Sequence, residues 1–203
     1  IWESINEGFR YVIQNRIVIG LILMGVVTTV FAMPYQTLLP VFARDVLDVG
    51  VSGLGWLGAM SGAGAIAGSI TVACFSKVRP MKFLMLIGSI GLGTFIVLFA
   101  ISTNYLFSLI IILCLGFLFQ IFMASNFTFV QLIAPDEIRG RVLSIRMIAF
   151  GLSPIGMMLL GTATELVGPS LATVAAGAIS VALIAVIIIT IPLVRQVDAA
   201  VVE

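Results

Sequence analysis

The sequence predicts an all-α membrane protein, with six transmembrane helices forming one bundle. Three observations predict it. Only 9% of the 203 residues are charged and 61% are apolar, whereas a soluble domain carries about 25% charged residues. The mean hydropathy is +1.26, so the charges are too few to clothe a water-exposed surface. The apolar residues also fall into six long runs, each near the ~20 residues that a bilayer crossing requires. Together these exclude a soluble enzyme, a nucleic-acid binder and a disordered chain.

The elements follow in order. In Ile1–Asn15, Trp2, Ile5, Phe9 and Val12 recur at helical spacing, opposite Glu3, Asn6, Glu7, Arg10 and Gln14. This is an amphipathic linker helix over residues 1–16, lying in the membrane interface or packed under the bundle. The spans are then Ile17–Ala43, Val51–Ser76, Met81–Ser102, Tyr105–Ile133, Val142–Glu165 and Leu171–Val194. They make a bundle over 17–194 and leave a tail at 195–203. Turn residues or charges fill the breaks, as in Lys77-Val78-Arg79-Pro80 and Val167-Gly168-Pro169-Ser170. Barrel strands would alternate in polarity over segments of about ten residues, and these runs are longer and continuously apolar. The chain begins at Ile1 with no signal-peptide pattern and reads as a piece of a longer protein.

The basic residues orient the bundle. With six spans, one side holds Arg10, Arg16, Lys77, Arg79, Lys82, Arg139, Arg141, Arg146 and Arg195, and the other holds only Arg44. Under the positive-inside rule both termini are cytoplasmic. There is no His, and Cys74 and Cys114 sit in separate apolar runs. That set assembles no zinc, haem or dithiol site, so neither metal nor cofactor is expected.

Within the spans the small and polar residues carry the remaining information. Gly64 and Gly68 form a small-xxx-small pair, and Gly88, Gly91, Gly93, Gly151, Gly156 and Gly161 add further places for close helix approach. Pro34, Pro40 and Pro154 favour kinks. No Asp, Glu, Lys or Arg is expected near the middle of a span, and no buried basic group is expected for an anion. Two polar stripes remain. Leu113, Phe117, Gln120, Ala124, Phe127 and Gln131 share one helix face, while Met24, Thr28, Phe31 and Tyr35 share another with Gln36 beside it. A midspan glutamine needs either a neighbouring helix or a wet cavity, and the residues leave both open. Pro135-Asp136-Glu137 reads as a helix start, with the acids complementing its positive end. Arg139 and Arg141 beyond it either meet lipid headgroups or clasp acids and helix ends of another part of the protein.

Three segments carry a resemblance. Glu7–Asn15 leads into an apolar span. Pro40-Val41-Phe42-Ala43-Arg44-Asp45-Val46-Leu47 precedes Ser52-Gly53-Leu54-Gly55. Pro135-Asp136-Glu137-Ile138-Arg139-Gly140-Arg141-Val142-Leu143-Ser144 lies between the fourth and fifth spans. In this order the chain resembles helices seven to twelve of a major facilitator superfamily transporter, in the branch of enterobactin exporters and macrolide efflux pumps. The resemblance implies two inverted three-helix repeats with a site near the midplane. It also implies an N-terminal six-helix half as partner, a bacterial inner-membrane location and a small-molecule substrate exported by alternating access. The proton is the candidate coupling ion, its titrating carboxylate expected in the other half. The expected cavity residues are Thr28, Phe31, Tyr35, Gln36, Phe117, Gln120 and Asn126. The expected loop motifs are Lys77, Arg79, Arg139, Gly140 and Arg141. One departure stands out: where the family's loop pattern has an acid and a glycine, this chain has Lys77 and Pro80. The alternatives are an uptake symporter of the same fold and a non-transporting receptor or assembly subunit. A membrane-embedded enzyme would need convergent His or acidic residues, which the sequence lacks, so no enzymatic activity is expected.

The basic bias makes the topology testable. In full-length protein lacking Cys74 and Cys114, single cysteines at Asp48 and Ser170 should react with an impermeant maleimide outside intact cells, and one at Val78 should not. Labelling of Val78 with protection of Asp48 would invert the orientation.

Overall fold

The computed structural model describes residues 9–75 and 78–191. All regular structure among them is helical, and six helices are long and apolar enough to cross a membrane. They are α1 (Arg16–Val46), α2 (Gly50–Cys74), α3 (Val78–Ile101), α4 (Tyr105–Ile133), α5 (Arg139–Val167) and α6 (Pro169–Thr190). The fourth matches its expected span residue for residue, and the others shift by a few. At α5 the helix takes in Arg139–Arg141, and residues 136–138 form a turn. Asp136 therefore lies outside the first helical turn and forms an ion pair with Arg139 instead.

Local chemistry explains the irregular places. α1 contains π-helical turns at Thr28–Ala32 and Phe42–Val46, and its helix restarts at Tyr35 after Pro34. A proline has no N–H to give and crowds the preceding turn, and the π turn takes up the mismatch just before it. α5 is interrupted between Phe150 and Ser153, so Pro154 occupies the opening turn of the second segment, where its missing N–H leaves no bond unmade. Gly168 alone separates α5 from α6, with φ 85°. That backbone is open to glycine and strained for a side chain.

At the chain's start residues 9–14 are helical. Val12 is buried and Phe9 is exposed. The inward face is thus Tyr11 and Val12, turned from the expected Phe9–Val12 face. The cause is hydrogen bonding: the Tyr11 hydroxyl donates to the Ile133 carbonyl at 3.2 Å and accepts from Asn15 Nδ2 at 3.3 Å. Asn15 Oδ1 in turn caps α1 by accepting from Ile17 N and Val18 N. Trp2, Ile5 and the 195–203 tail lie outside the described residues.

The helices pack as two interchangeable sets. α1 packs on α5 and α6, α4 packs on α2 and α3, and α3 packs on α6. Exchanging α1–α3 with α4–α6 maps these contacts onto one another, as an inverted repeat requires. Glycines sit at three of these crossings. A Cβ on Gly64 of α2 would collide with the Leu113 carbonyl of α4, and one on Gly156 of α5 would collide with the Val30 carbonyl of α1. Between α3 and α6, Gly93 faces Gly177, and a Cβ on either would lie about 3 Å from the other's carbonyl oxygen. Without a hydrophobic drive between helices in lipid, such backbone approach supplies the packing. α1 is the most enclosed span, while α2 and α5 keep most of their surface exposed.

The crossing of α1 and α5 gives a stability prediction. Gly156→Ala should destabilise the detergent-solubilised protein by about 1–3 kcal/mol through overpacking. Gly161→Ala, where a Cβ meets nothing within 4 Å, should leave the melting temperature unchanged. Equal melting of both variants would contradict the close crossing.

Candidate substrate groove

The site is built on α4 and α5, near the ends that Ala134–Ile138 joins. Asn126 stands seven residues before the end of α4, and Arg146 stands seven residues after the start of α5. At 1.5 Å per residue both lie about 10 Å inside their helix ends. Asn126 is fully buried. Its Nδ2 donates to the Leu21 carbonyl of α1 at 2.9 Å, and its Oδ1 accepts from Arg146 Nε at 3.1 Å. One amide thus ties α1, α4 and α5 together.

Arg146 is 8% exposed, and its guanidinium carbon lies 5.0 Å from the Phe127 ring centre and 5.8 Å from that of Phe150. Aromatic faces stabilise a desolvated cation by about 2 kcal/mol. This overturns the expectation that no basic side chain is buried in the spans, and Lys82 at the start of α3 is a second exception at 5% exposure. Arg146 was counted above only as a topology marker. The signal that could have found it is the i, i+4 spacing from Val142, a buried core residue, which puts Arg146 on the inward face.

The groove in front of this bridge measures about 440 Å³ and is lined by Gln120, Met123, Ala124, Phe127, Arg146, Met147 and Phe150. Its volume lies in the range of small-molecule sites, about 300–1,000 Å³. A second, smaller pocket of about 220 Å³ between α1, α5 and α6 is almost wholly apolar and includes Phe31 and Gly156.

The expected cavity residues are distributed as follows. Gln120 lines the groove, and its Cβ abuts the position a Cβ would take on Gly68 of α2. Phe117 is half-buried, with its backbone against Gly64 and Gly68. Asn126 stands behind the groove with both amide atoms engaged. Phe31 belongs to the smaller pocket. Thr28 is buried, and its hydroxyl has no hydrogen-bond partner among the described residues. Tyr35 is buried in the core, edge-on to Phe99 at 6.4 Å, while the neighbouring Gln36 is exposed. The structure therefore joins Gln120 to Phe127, Arg146 and Phe150, and it does not join Tyr35 to Gln120.

The loop residues have local partners. Arg139 Nε donates to the Gln131 carbonyl at 3.0 Å, capping the end of α4, and the guanidinium also pairs with Asp136. Gly140 is exposed. Arg79 lies in the first turn of α3, and Lys77 lies outside the described residues. No group of three or more His, Cys, Asp or Glu among the described residues converges as a metal site would.

A six-helix bundle whose two three-helix sets exchange contacts is the architecture of one half of a transporter fold. A family profile described as "Transmembrane secretion effector" matches residues 1–203, and the chain belongs to that family, within the major facilitator superfamily. The multidrug efflux pump Tap of Mycolicibacterium fortuitum is 26% identical over 204 residues, covering 98% of this chain and 49% of the pump. The enterobactin exporter EntS of Escherichia coli O1:K1 is 27% identical over 141 residues, covering 69% of this chain and 33% of the exporter. The chain therefore spans half or less of the length of these relatives. No solved structure matches it significantly.

The bridge predicts non-additivity. In a double-mutant cycle on melting, Asn126→Ala and Arg146→Ala should show a coupling of about 1–3 kcal/mol. Simple addition of the two losses would mean that the side chains do not interact.

Proposed function

We propose that this chain is the C-terminal half of a bacterial inner-membrane exporter of amphipathic small molecules. It works by rocking against an N-terminal six-helix half, with both termini of the chain in the cytoplasm. The observation that carries the reading is the groove on α4 and α5. It combines a midspan amide, two aromatic rings and two methionines in a volume suited to a bulky organic molecule. The family and the efflux relatives support export as the direction. The uncharged cavity set Thr28, Phe31, Tyr35, Gln36 and Phe117 divides, on this reading, between the wall of the cavity and the helix packing behind it. Gln120 makes direct hydrogen bonds to substrate.

The coupling ion is a proton drawn down its gradient, and its titrating carboxylate belongs to the other half. Lys77, Arg79, Arg139, Gly140 and Arg141 form the cytoplasmic rim, where Arg139 stiffens the α4–α5 turn and the remaining loop residues meet the partner half.

The test is transport into everted membrane vesicles containing the full-length protein, with a panel of chemically distinct compounds. Wild-type vesicles should accumulate amphipathic compounds on energisation, and collapse of the proton gradient should abolish uptake. Gln120→Leu should weaken hydrogen-bonding substrates by about 1–2 kcal/mol, spare purely apolar ones and leave the melting temperature unchanged. Uniform loss with a lowered melting temperature would make Gln120 a packing residue. Absence of energised uptake of any compound would contradict the exporter reading.

A further inference from the structure

Arg146 has more hydrogen-bonding capacity than the protein uses. Its Nε is committed to Asn126, and no carboxylate among the described residues pairs with it. A guanidinium presents five donors in a planar fork and does not deprotonate. The terminal amino groups, four N–H donors, have no protein acceptor among the described residues, and the side chain lines the groove. The charge is held in place by a buried amide and flanked by two phenyl rings, and no anion among the described residues neutralises it. A buried cation normally has an anion.

We infer that the groove binds an aromatic carboxylate, whose anion takes the free fork of Arg146 and whose ring stacks among Phe127, Phe150 and the two methionines. Each part of the groove has a partner in such a molecule. The outer edge of the guanidinium matches a carboxylate with two parallel hydrogen bonds. Phe127 and Phe150 lie within 6 Å of the same cation, so a ring attached to the carboxylate is delivered against them. Met123 and Met147 are polarisable and adapt to flat ligands. Gln120, on the same groove, meets a second polar group on the ligand. Asn126 acts as a positioning residue: it touches Arg146 and the α1 backbone and leaves the fork aimed outward. This inference rests on the export reading and narrows its substrate class.

The experiment measures binding and transport separately, with purified full-length protein. Thermal-shift titrations compare 2-naphthoate with the neutral 2-naphthamide, while energised uptake of naphthoate and of ethidium by everted vesicles is followed in parallel. Wild-type protein should bind naphthoate about tenfold or more tightly than naphthamide. Arg146→Gln should erase that preference, weakening naphthoate far more than naphthamide so that the two bind about equally. Arg146→Lys, which keeps the charge without the planar fork, should retain part of it. Phe150→Leu, at the groove rim, should weaken both ligands and serves where Arg146→Gln melts too early to titrate. A naphthoate preference that survives in Arg146→Gln, or that is absent from wild type, overturns the inference. Ethidium uptake with no naphthoate preference rejects this substrate class and leaves the exporter standing. Naphthoate preference without energised transport of either naphthoate or ethidium rejects the exporter and leaves the anion site.

Discussion

A guanidinium about 10 Å inside an apolar bundle is the constraint on which the arrangement of α1, α4 and α5 depends. Arg146 could not stay there against hydrocarbon alone, because a charge in that position costs several kcal/mol without partners. Asn126 supplies an acceptor, and two phenyl rings supply their electron-rich faces. The same asparagine donates to the backbone of α1, so the charge is anchored to both three-helix repeats at once. Moving any of the three helices along its axis would strand a buried polar group. The bridge therefore fixes their register more firmly than apolar packing, which tolerates sliding.

Around that bridge the bundle is held by backbone approach. The crossings at Gly64, Gly156 and the Gly93–Gly177 pair occur on helix pairs exchanged by the repeat operation. The two repeats thus solve the same packing problem with the same device. The asymmetry lies in the polar residues: α4 and α5 carry the amide and guanidinium bridge, while α1 is enclosed and distorted by its π-helical turns and prolines.

The sequence revealed the spans because hydropathy is a local property that needs no knowledge of partners. Tyr105–Ile133 was legible to the residue, and the prolines marked where α1 and α5 would be irregular. Rotation about a helix axis was not legible in the same way. Gln120 and Tyr35 looked equivalent from their positions on the leading helices of the two repeats. Only packing decides that α1 is surrounded while one face of α4 stays open. Arg146 was obscured because a basic residue near a span end satisfies the positive-inside rule without further explanation. Its inward direction depends on α5 starting at Arg139 and on an acceptor twenty residues earlier. Gly64 and Gly68 were identifiable as a packing pair, but their partner, the Leu113–Phe117 backbone, is a tertiary fact.

The central claim is that the groove holding Gln120 and Arg146 faces water and substrate rather than lipid, and the most direct measurement is chemical accessibility. In full-length protein without native cysteines, a cysteine replacing Gln120 should react with a charged, membrane-impermeant methanethiosulfonate added to everted vesicles. A transported compound should slow that reaction. Reaction confined to lipid-soluble reagents, with no protection by any transported compound, would place this face of α4 against the bilayer and contradict the account.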